Sequence, residues 1–266
     1  MFGECRQGCS LKQASVAQQV GLSAIMIPML LALDTATATA SLALYDLASR
    51  QLLAELTWQA RRRQTQDLLP ALGDVLRLLD ATPQAITALA VTTGPGSFTG
   101  VRIAISAAKG LALGLPQPPP VVGIPTLSVT AAPYIELIGS TDVAIAICAA
   151  IQAGRGRYNW TWFGGADLLH RPTVADHHAG TVAELAAALA ERNTEGSSEH
   201  NSTIWLAGEI GPDLAAALAG LAHVRCVDPV TSLRRAGQLA RLAALHLAAG
   251  QADTLETLQP LYLRNP

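Results

Sequence analysis

Gly94-Pro95-Gly96-Ser97-Phe98-Thr99-Gly100-Val101-Arg102 follows the apolar run Ala88 to Val91 and leads into the small-residue run Ile103 to Leu115. The order reads as a strand, a glycine-rich turn and a helix N-terminus. Its glycines let the backbone adopt φ > 0 and approach a neighbour closely, and Thr99 is a candidate N-cap whose oxygen satisfies a free N–H of the first turn. That geometry suits an anion or the backbone of another segment. A tight strand-to-helix turn without a ligand has the same signature.

Upstream of this turn, Met29 to Asp34, Ala40 to Tyr45 and Gln51 to Trp58 are β-rich apolar runs separated by short polar stretches, which predicts a meander of antiparallel strands. Thr65 is a candidate N-cap for a helix running to Leu79, with Leu68, Leu69, Leu72, Val75, Leu76 and Leu79 at helical spacing on one face. Ala88 to Thr92 is the fourth strand, Thr99 to Leu115 a helix of small residues, and Val121 to Ile124 the fifth strand after the break at Pro116 to Pro120. The order βββαβα(β) describes a mixed sheet flanked by helices.

The second half repeats this logic. Pro125 to Leu137 reads as a helix, Asp142 to Ile151 and Tyr158 to Phe163 as strands around a glycine-rich turn, and His177-His178 as part of a polar linker. Thr181-Val182-Ala183-Glu184 has the capping-box pattern for a helix to Arg192, followed by a polar loop over 193–202. Ile204 to Ala207 runs as a strand into Gly208-Glu209-Ile210-Gly211. A helix from Asp213, a strand Val224 to Val227 and a long helix over 232–249 complete the chain. Two α/β lobes are expected: 29–125 and 126–266, the second including the final helix. Residues 1–28 are expected to be an extension, either disordered or upstream of the true start.

Composition narrows the function. Of 266 residues, half are apolar and only 14% charged, as in a globular chain. The net charge of -2 argues against binding nucleic acid by electrostatics alone. The basic clusters Arg61-Arg62-Arg63 and Arg234-Arg235 read as solvated helix ends. Cys5, Cys9, Cys148 and Cys226 lack paired spacing, so they are expected as thiols in a reducing cytoplasm, with Cys148 and Cys226 as buried small hydrophobes. No segment has the length of uninterrupted apolar sequence needed to cross a membrane.

Three strand-end loops are candidates for nucleotide or anion binding: Asp34-Thr35, the turn bearing Gly94, Gly96, Ser97 and Gly100, and Gly208 to Gly211. No Walker-type Gly-Lys-Ser/Thr sequence accompanies them. The histidines include no i, i+4 pair, which leaves no metal site to nominate. Ser97 does not sit in a Gly-x-Ser-x-Gly elbow, so no nucleophile is nominated either.

Taken together, Leu33-Asp34-Thr35-Ala36, Thr65-Gln66-Asp67-Leu68-Leu69-Pro70, Gly94 to Arg102 with Lys109-Gly110-Leu111-Ala112, Gly123-Ile124-Pro125-Thr126-Leu127 and the terminal Pro260-Leu261-Tyr262-Leu263-Arg264-Asn265 resemble the TsaB (YeaZ) family, in the family's order from Met29 to the C-terminus. The resemblance implies a two-lobed actin/Hsp70/sugar-kinase-like fold, each lobe a mixed sheet flanked by helices. It also implies a cytoplasmic, non-catalytic subunit of the machinery that forms N6-threonylcarbamoyladenosine on tRNA. Such a subunit has no cofactor of its own, pairs with its paralogue TsaD, works with the ATPase TsaE, forms a homodimer when alone and meets tRNA through the complex.

TsaD-like proteins carry a His-x-x-x-His pair on the helix after the fifth strand, and those positions correspond here to Thr126 and Thr130, which cannot replace imidazole. The resemblance further implies that the first two helices of the N-terminal lobe form the partner contact. That nominates Leu68, Leu72 and Val75 on the first helix, and Thr99, Arg102, Ile103, Ser106, Ala107 and Gly110 on the second. Two departures stand out: Gln64 where many relatives have His, and Gln152-Ala153-Gly154-Arg155-Gly156-Arg157 where they have an Asp-x-Arg segment. The second places Arg155 and Arg157 near the expected interlobe cleft. The alternative reading is an ATP-binding kinase or ATPase of the same fold, using Asp34, Thr35, Gly96 and Gly208 to Gly211.

Overall fold

Met29–Asp34 (β1) is apolar up to its closing Asp34 because both of its faces are covered, as expected of a central strand; Leu30, Leu31 and Leu33 are fully buried. In the computed structural model, which describes residues 27–139, 145–164, 167–192 and 203–263, β1 is flanked by Thr39–Asp46 (β2), antiparallel, and Ile86–Thr92 (β4), parallel. Gln51–Gln59 (β3) and Val121–Ile124 (β5) complete a five-stranded sheet in the order β3-β2-β1-β4-β5. Gln64–Leu78 (α1) precedes β4, Phe98–Gly114 (α2) follows it, and Thr126–Gly139 (α3) follows β5.

The second half runs through the same sequence of elements. Ile145–Gly154 (β6), Arg157–Phe163 (β7) and His178–Thr181 (β8) are antiparallel neighbours, and Thr203–Gly208 (β9) and Val224–Cys226 (β10) extend the sheet in parallel on the other side of β6. The order β8-β7-β6-β9-β10 matches that of the first sheet. Val182–Glu191 (α4), Pro212–Leu218 (α5) and Ala236–Ala248 (α6) take the places of α1, α2 and α3. This duplicated βββαβαβα unit is the actin/Hsp70/sugar-kinase-like fold.

The last helix of each half packs against the sheet of the other. One face of the first sheet buries Leu31, Leu33 and Leu89 against Leu68, Leu72 and Ile105 of α1 and α2. Its other face buries Leu30, Ala32 and Ala43 against Leu239, Leu242 and Ala243 of α6. Reciprocally, Leu127, Ala131 and Ile135 of α3 pack on Ile147, Ala149 and Ile151 of the second sheet, whose far face is covered by α4 and α5. Each such buried leucine or isoleucine contributes about 1.5–3 kcal/mol. The final helix, expected over 232–249 with the second lobe, therefore lies on the first sheet and begins only at Ala236.

Local chemistry accounts for the other differences from expectation. The α4 capping box is present: Thr181 Oγ1 accepts from Glu184 N at 3.3 Å while Glu184 accepts from Thr181 N at 2.6 Å. α1, however, starts at Gln64 with Arg63 at the N-cap and no side-chain cap, leaving Thr65 inside the first turn. α2 is capped by Ser97, whose Oγ accepts from Gly100 N at 3.2 Å, so Thr99 is not the cap. His178 is not in a linker but opens β8, its ring stacked on Trp160. Cys148 is buried, and burial pushes its thiol pKa up; Cys226 is exposed, contrary to expectation. Expectations for 1–26, 140–144, 193–202 and 264–266 lie outside the described residues.

His246 on α6 is almost fully buried, with Nδ1 2.7 Å from Gln251 Oε1. Burial holds its pKa below the ordinary imidazole value, outweighing the Gln251 hydrogen bond. On acidification below about pH 6.5 the unfolded chain takes up a proton that the folded chain resists, so stability declines as pH falls. Thermal unfolding is expected to show a lower melting temperature at about pH 5.5 than at about pH 7.5, with a shallower slope for His246→Gln. Parallel slopes for the two proteins would remove His246 as the cause.

Candidate functional site

The turn Gly94 to Gly100 and the turn after β1 meet face to face. Ser97 N donates to Ala36 O at 2.6 Å, and Thr35 Oγ1 donates to Gly100 O at 2.6 Å. A Cβ on Gly96 would run into the Ala36 carbonyl, and one on Gly100 into the Thr35 carbonyl, so these two glycines permit the approach of one backbone to another. Gly94, with φ +107°, gives its carbonyl to Thr126 N at 2.8 Å. The N–H groups that a phosphate would need at Ser97, Gly100 and Val101 all donate to protein oxygens.

Asp34, at the end of β1, is buried and accepts from Ala36 N and Thr92 Oγ1, both at 2.9 Å. Its second carboxylate oxygen takes the Nε–H of Arg234, from the segment just before α6, and Arg234 Nη2 donates to Thr37 Oγ1 at 3.1 Å. Arg234 thus stands inside the protein, not at a solvated helix end; only its neighbour Arg235 is exposed, paired with Glu55 at 2.8 Å. The need to extend residues 232–235 toward Asp34 explains the late start of α6. The third loop is also internally satisfied: Glu209 N donates to Ala150 O at 2.9 Å and Gly211 N to Tyr158 Oη at 3.0 Å. Gly208, with φ +113°, lies against the Ala150 carbonyl. Arg155 and Arg157 flank the β6–β7 turn and border, with Gly211 and Asp213, a hollow of about 180 Å³.

Thr126 and Thr130 lie one turn apart at the start of α3, and Thr130 Oγ1 donates to Thr126 O at 3.1 Å. Among the described residues no three His, Cys, Asp or Glu side chains are grouped to hold a metal ion, and no helix is long and apolar enough to cross a membrane.

The outer surface of α1 and α2 has a different character. Leu68, Leu72 and Val75 are buried against the first sheet, Leu68 at the floor of the groove between the two helices. The outward strip of α2 does contain Thr99, Arg102, Ser106 and Gly110 as exposed residues and Ile103 and Ala107 as half-buried ones. Between the helices runs a groove of about 480 Å³, with Leu68, Ile103 and Ala107 among its walls and Thr65, Leu69, Phe98 and Ser106 at its sides. Leu69 is 51% exposed, Phe98 59% and Leu113 73%, although none of the three was nominated from the sequence. The i, i+3, i+4 pattern identifies which α1 residues are apolar; it does not say that the sheet takes the Leu68 face and leaves Leu69 outside.

The C-terminal segment reaches this surface from far away in sequence. Asp253 pairs with Val121 and accepts from Gly123 N at 2.8 Å, Leu258 is buried beside Gly123, and Leu261 N donates to Thr93 O at 2.7 Å. Tyr262 then lies beside Phe98 and Arg102.

Comparison with known proteins fits this arrangement. A model of the family described as "TsaD: tRNA N6-adenosine threonylcarbamoyltransferase" matches residues 58–165. The tRNA threonylcarbamoyladenosine biosynthesis protein TsaB of Escherichia coli K12 is 33% identical over 236 residues, covering 89% of this chain and 94% of that protein. The protein of the same name from Haemophilus influenzae is 38% identical over 123 residues, 46% of this chain and 50% of that one. Among solved structures, YeaZ from Pseudomonas aeruginosa superposes with a TM-score of 0.64 at 26% identity, covering 88% of this chain and 99% of that chain.

Proposed function

The chain belongs to the TsaB family of tRNA threonylcarbamoyladenosine biosynthesis proteins, and on that premise we propose that it is the non-catalytic docking subunit of the enzyme that forms this nucleoside. In this reading it binds a TsaD-type paralogue through the outer surface of α1 and α2, and pairs with a second copy of itself through the same surface when the paralogue is absent. TsaE and tRNA are met in the assembled complex.

The observation that carries the reading is the open groove between α1 and α2, with Leu69 and Phe98 exposed at its sides, and the strip of mostly small residues that continues from it along α2 to exposed Leu113. The helical rise from Thr99 to Leu113 makes this strip about 21 Å long, the scale of one side of a standard protein interface. Thr99, Ser106, Ala107 and Gly110 keep it low enough for another helix to approach. Two further features support a supporting rather than a chemical role. Arg234 supplies the cation beside Asp34, where a nucleotide-using relative of the fold would need room for a metal and phosphates. Thr126 and Thr130 offer hydroxyls where a transferase of this fold presents imidazoles.

The test is co-purification with a TsaD-type partner. Ser106→Trp and Gly110→Leu each place a bulky side chain on the strip and are expected to weaken pairing by about 30-fold or more, the effect of losing a hot spot. Calorimetric titration of the isolated chain with Mg-ATP is expected to show no binding. Undiminished pairing of both variants would place the contact elsewhere, and micromolar ATP binding with hydrolysis would favour an ATPase.

A further inference from the structure

Arg102 is an exposed arginine whose guanidinium is nevertheless held in one orientation. Its Cζ lies 3.7 Å from the centroid of the Phe98 ring, one turn earlier on α2. Tyr262 approaches from the C-terminal segment: its Oη accepts the Arg102 Nε–H at 2.8 Å, and its ring centroid is 5.6 Å from Cζ. The two rings are themselves 5.6 Å apart. Tyr262 is fixed in turn by the Leu261 N to Thr93 O hydrogen bond and by buried Leu258.

This arrangement uses Nε and one face of the guanidinium. Among the described residues no carboxylate pairs with Arg102, whereas Arg63 at the N-cap of α1 and Arg77 within that helix have Asp67 and Asp74. No hydrogen bond engages the terminal Nη1 and Nη2 groups of Arg102 among the described residues, and Arg102 borders the groove. A planar, preorganised, uncompensated fork is complementary to a carboxylate, and having its orientation set beforehand lessens the ordering cost of contact.

We infer that Arg102 is the polar anchor of the docking surface. It receives a side-chain carboxylate of the protein partner on Nη1 and Nη2, and Tyr262 is the positioning residue that aims it. The inference rests on the α1/α2 docking reading above, and assigns that surface a partner chemistry and the C-terminal segment a role in recognition.

The experiment measures the dissociation constant of the complex with a TsaD-type partner for Arg102→Lys, Tyr262→Phe, the double variant and Ser106→Trp, at low and moderate salt, with melting temperatures alongside. Arg102→Lys keeps the charge and loses the fork; about tenfold weaker binding is expected, with the salt dependence retained. Tyr262→Phe keeps the ring and loses the acceptor, and is expected to weaken binding about three- to tenfold with an unchanged melting temperature. The double variant is expected to bind no worse than Arg102→Lys alone, because the hydroxyl acts only through the fork. Normal binding by Arg102→Lys while Ser106→Trp abolishes pairing would overturn the anchor and leave the docking surface intact. Normal binding by Ser106→Trp would remove the docking surface itself. Additive losses in the double variant would overturn the positioning role of Tyr262, and an Arg102→Lys protein that keeps its partner but loses affinity for a tRNA anticodon stem-loop would reassign the fork to phosphate.

Discussion

Arg234→Met is expected to lower folding stability by about 3–5 kcal/mol, the usual effect of removing one member of a buried ion pair. Asp34 and Arg234 have side chains only 1% and 5% exposed, so neither charge gains compensation from water if the other is lost. Two further hydrogen bonds hold the Asp34 carboxylate, from Ala36 N and Thr92 Oγ1, and they fix it where Arg234 leaves it. Asp34→Asn is expected to be similarly damaging, since it leaves the guanidinium buried with Thr37 Oγ1 as a remaining partner. The double variant Asp34→Asn/Arg234→Met removes both charges together and is expected to lose less than the two single losses combined. Urea unfolding with an unchanged slope is the measurement. A loss below about 1 kcal/mol in either single variant would mean that water reaches the pair and that it contributes as a surface pair does.

Gly100→Ala is expected to destabilise by about 2–4 kcal/mol, from a backbone clash of the overpacking kind together with a broken hydrogen bond. Its new Cβ would meet the Thr35 carbonyl, which belongs to a turn already joined to Gly100 by the Thr35 Oγ1 hydrogen bond. The turn cannot retreat without disturbing Asp34 next to it. Gly110, on the same helix, gives the opposite expectation. A Cβ there has nothing within 4 Å, so Gly110→Ala is expected to stabilise by about 0.5–1 kcal/mol through helix propensity. Equal effects from the two substitutions, measured by thermal or urea unfolding, would show that the approach of the two turns is not a constraint on the fold.

The contrast shows which parts of the structure were legible in the sequence. Most strands and helices were read within a few residues, because Leu30, Leu31 and Leu33 in one run, or the Thr181/Glu184 capping box, are local signals with local causes. The apposition of the two glycine-rich turns was legible as one of two options, another backbone or an anion, and nothing within Gly94 to Arg102 could choose between them. What escaped were choices made at long range. Arg234 beside Arg235 has the same local signature as a solvated pair, and only Asp34, 200 residues earlier, draws it inside. The apolar face of α1 is evident in Leu68, Leu72 and Val75, but the sheet beneath it decides that this face is core and that Leu69 is surface. β8 was missed because Ala179 and Gly180 have weak strand propensity, and it forms by pairing with β7. Tyr262 was legible as part of a terminal motif, but not as a neighbour of Phe98.

The exchange of α3 and α6 between the sheets also has a temporal side. The strands of the first sheet leave the ribosome early, yet one of its faces, touched before then by Val129 and Ala132 of α3, lacks its main cover until α6 has been made. The half of the protein synthesised first is therefore the half completed last, with Leu30, Ala32 and Ala43 awaiting Leu239, Leu242 and Ala243. Long-range closure of this kind slows folding and lengthens the exposure of apolar surface. The same dependence makes α6 a condition for burying that face, so a product broken off before α6 would display it.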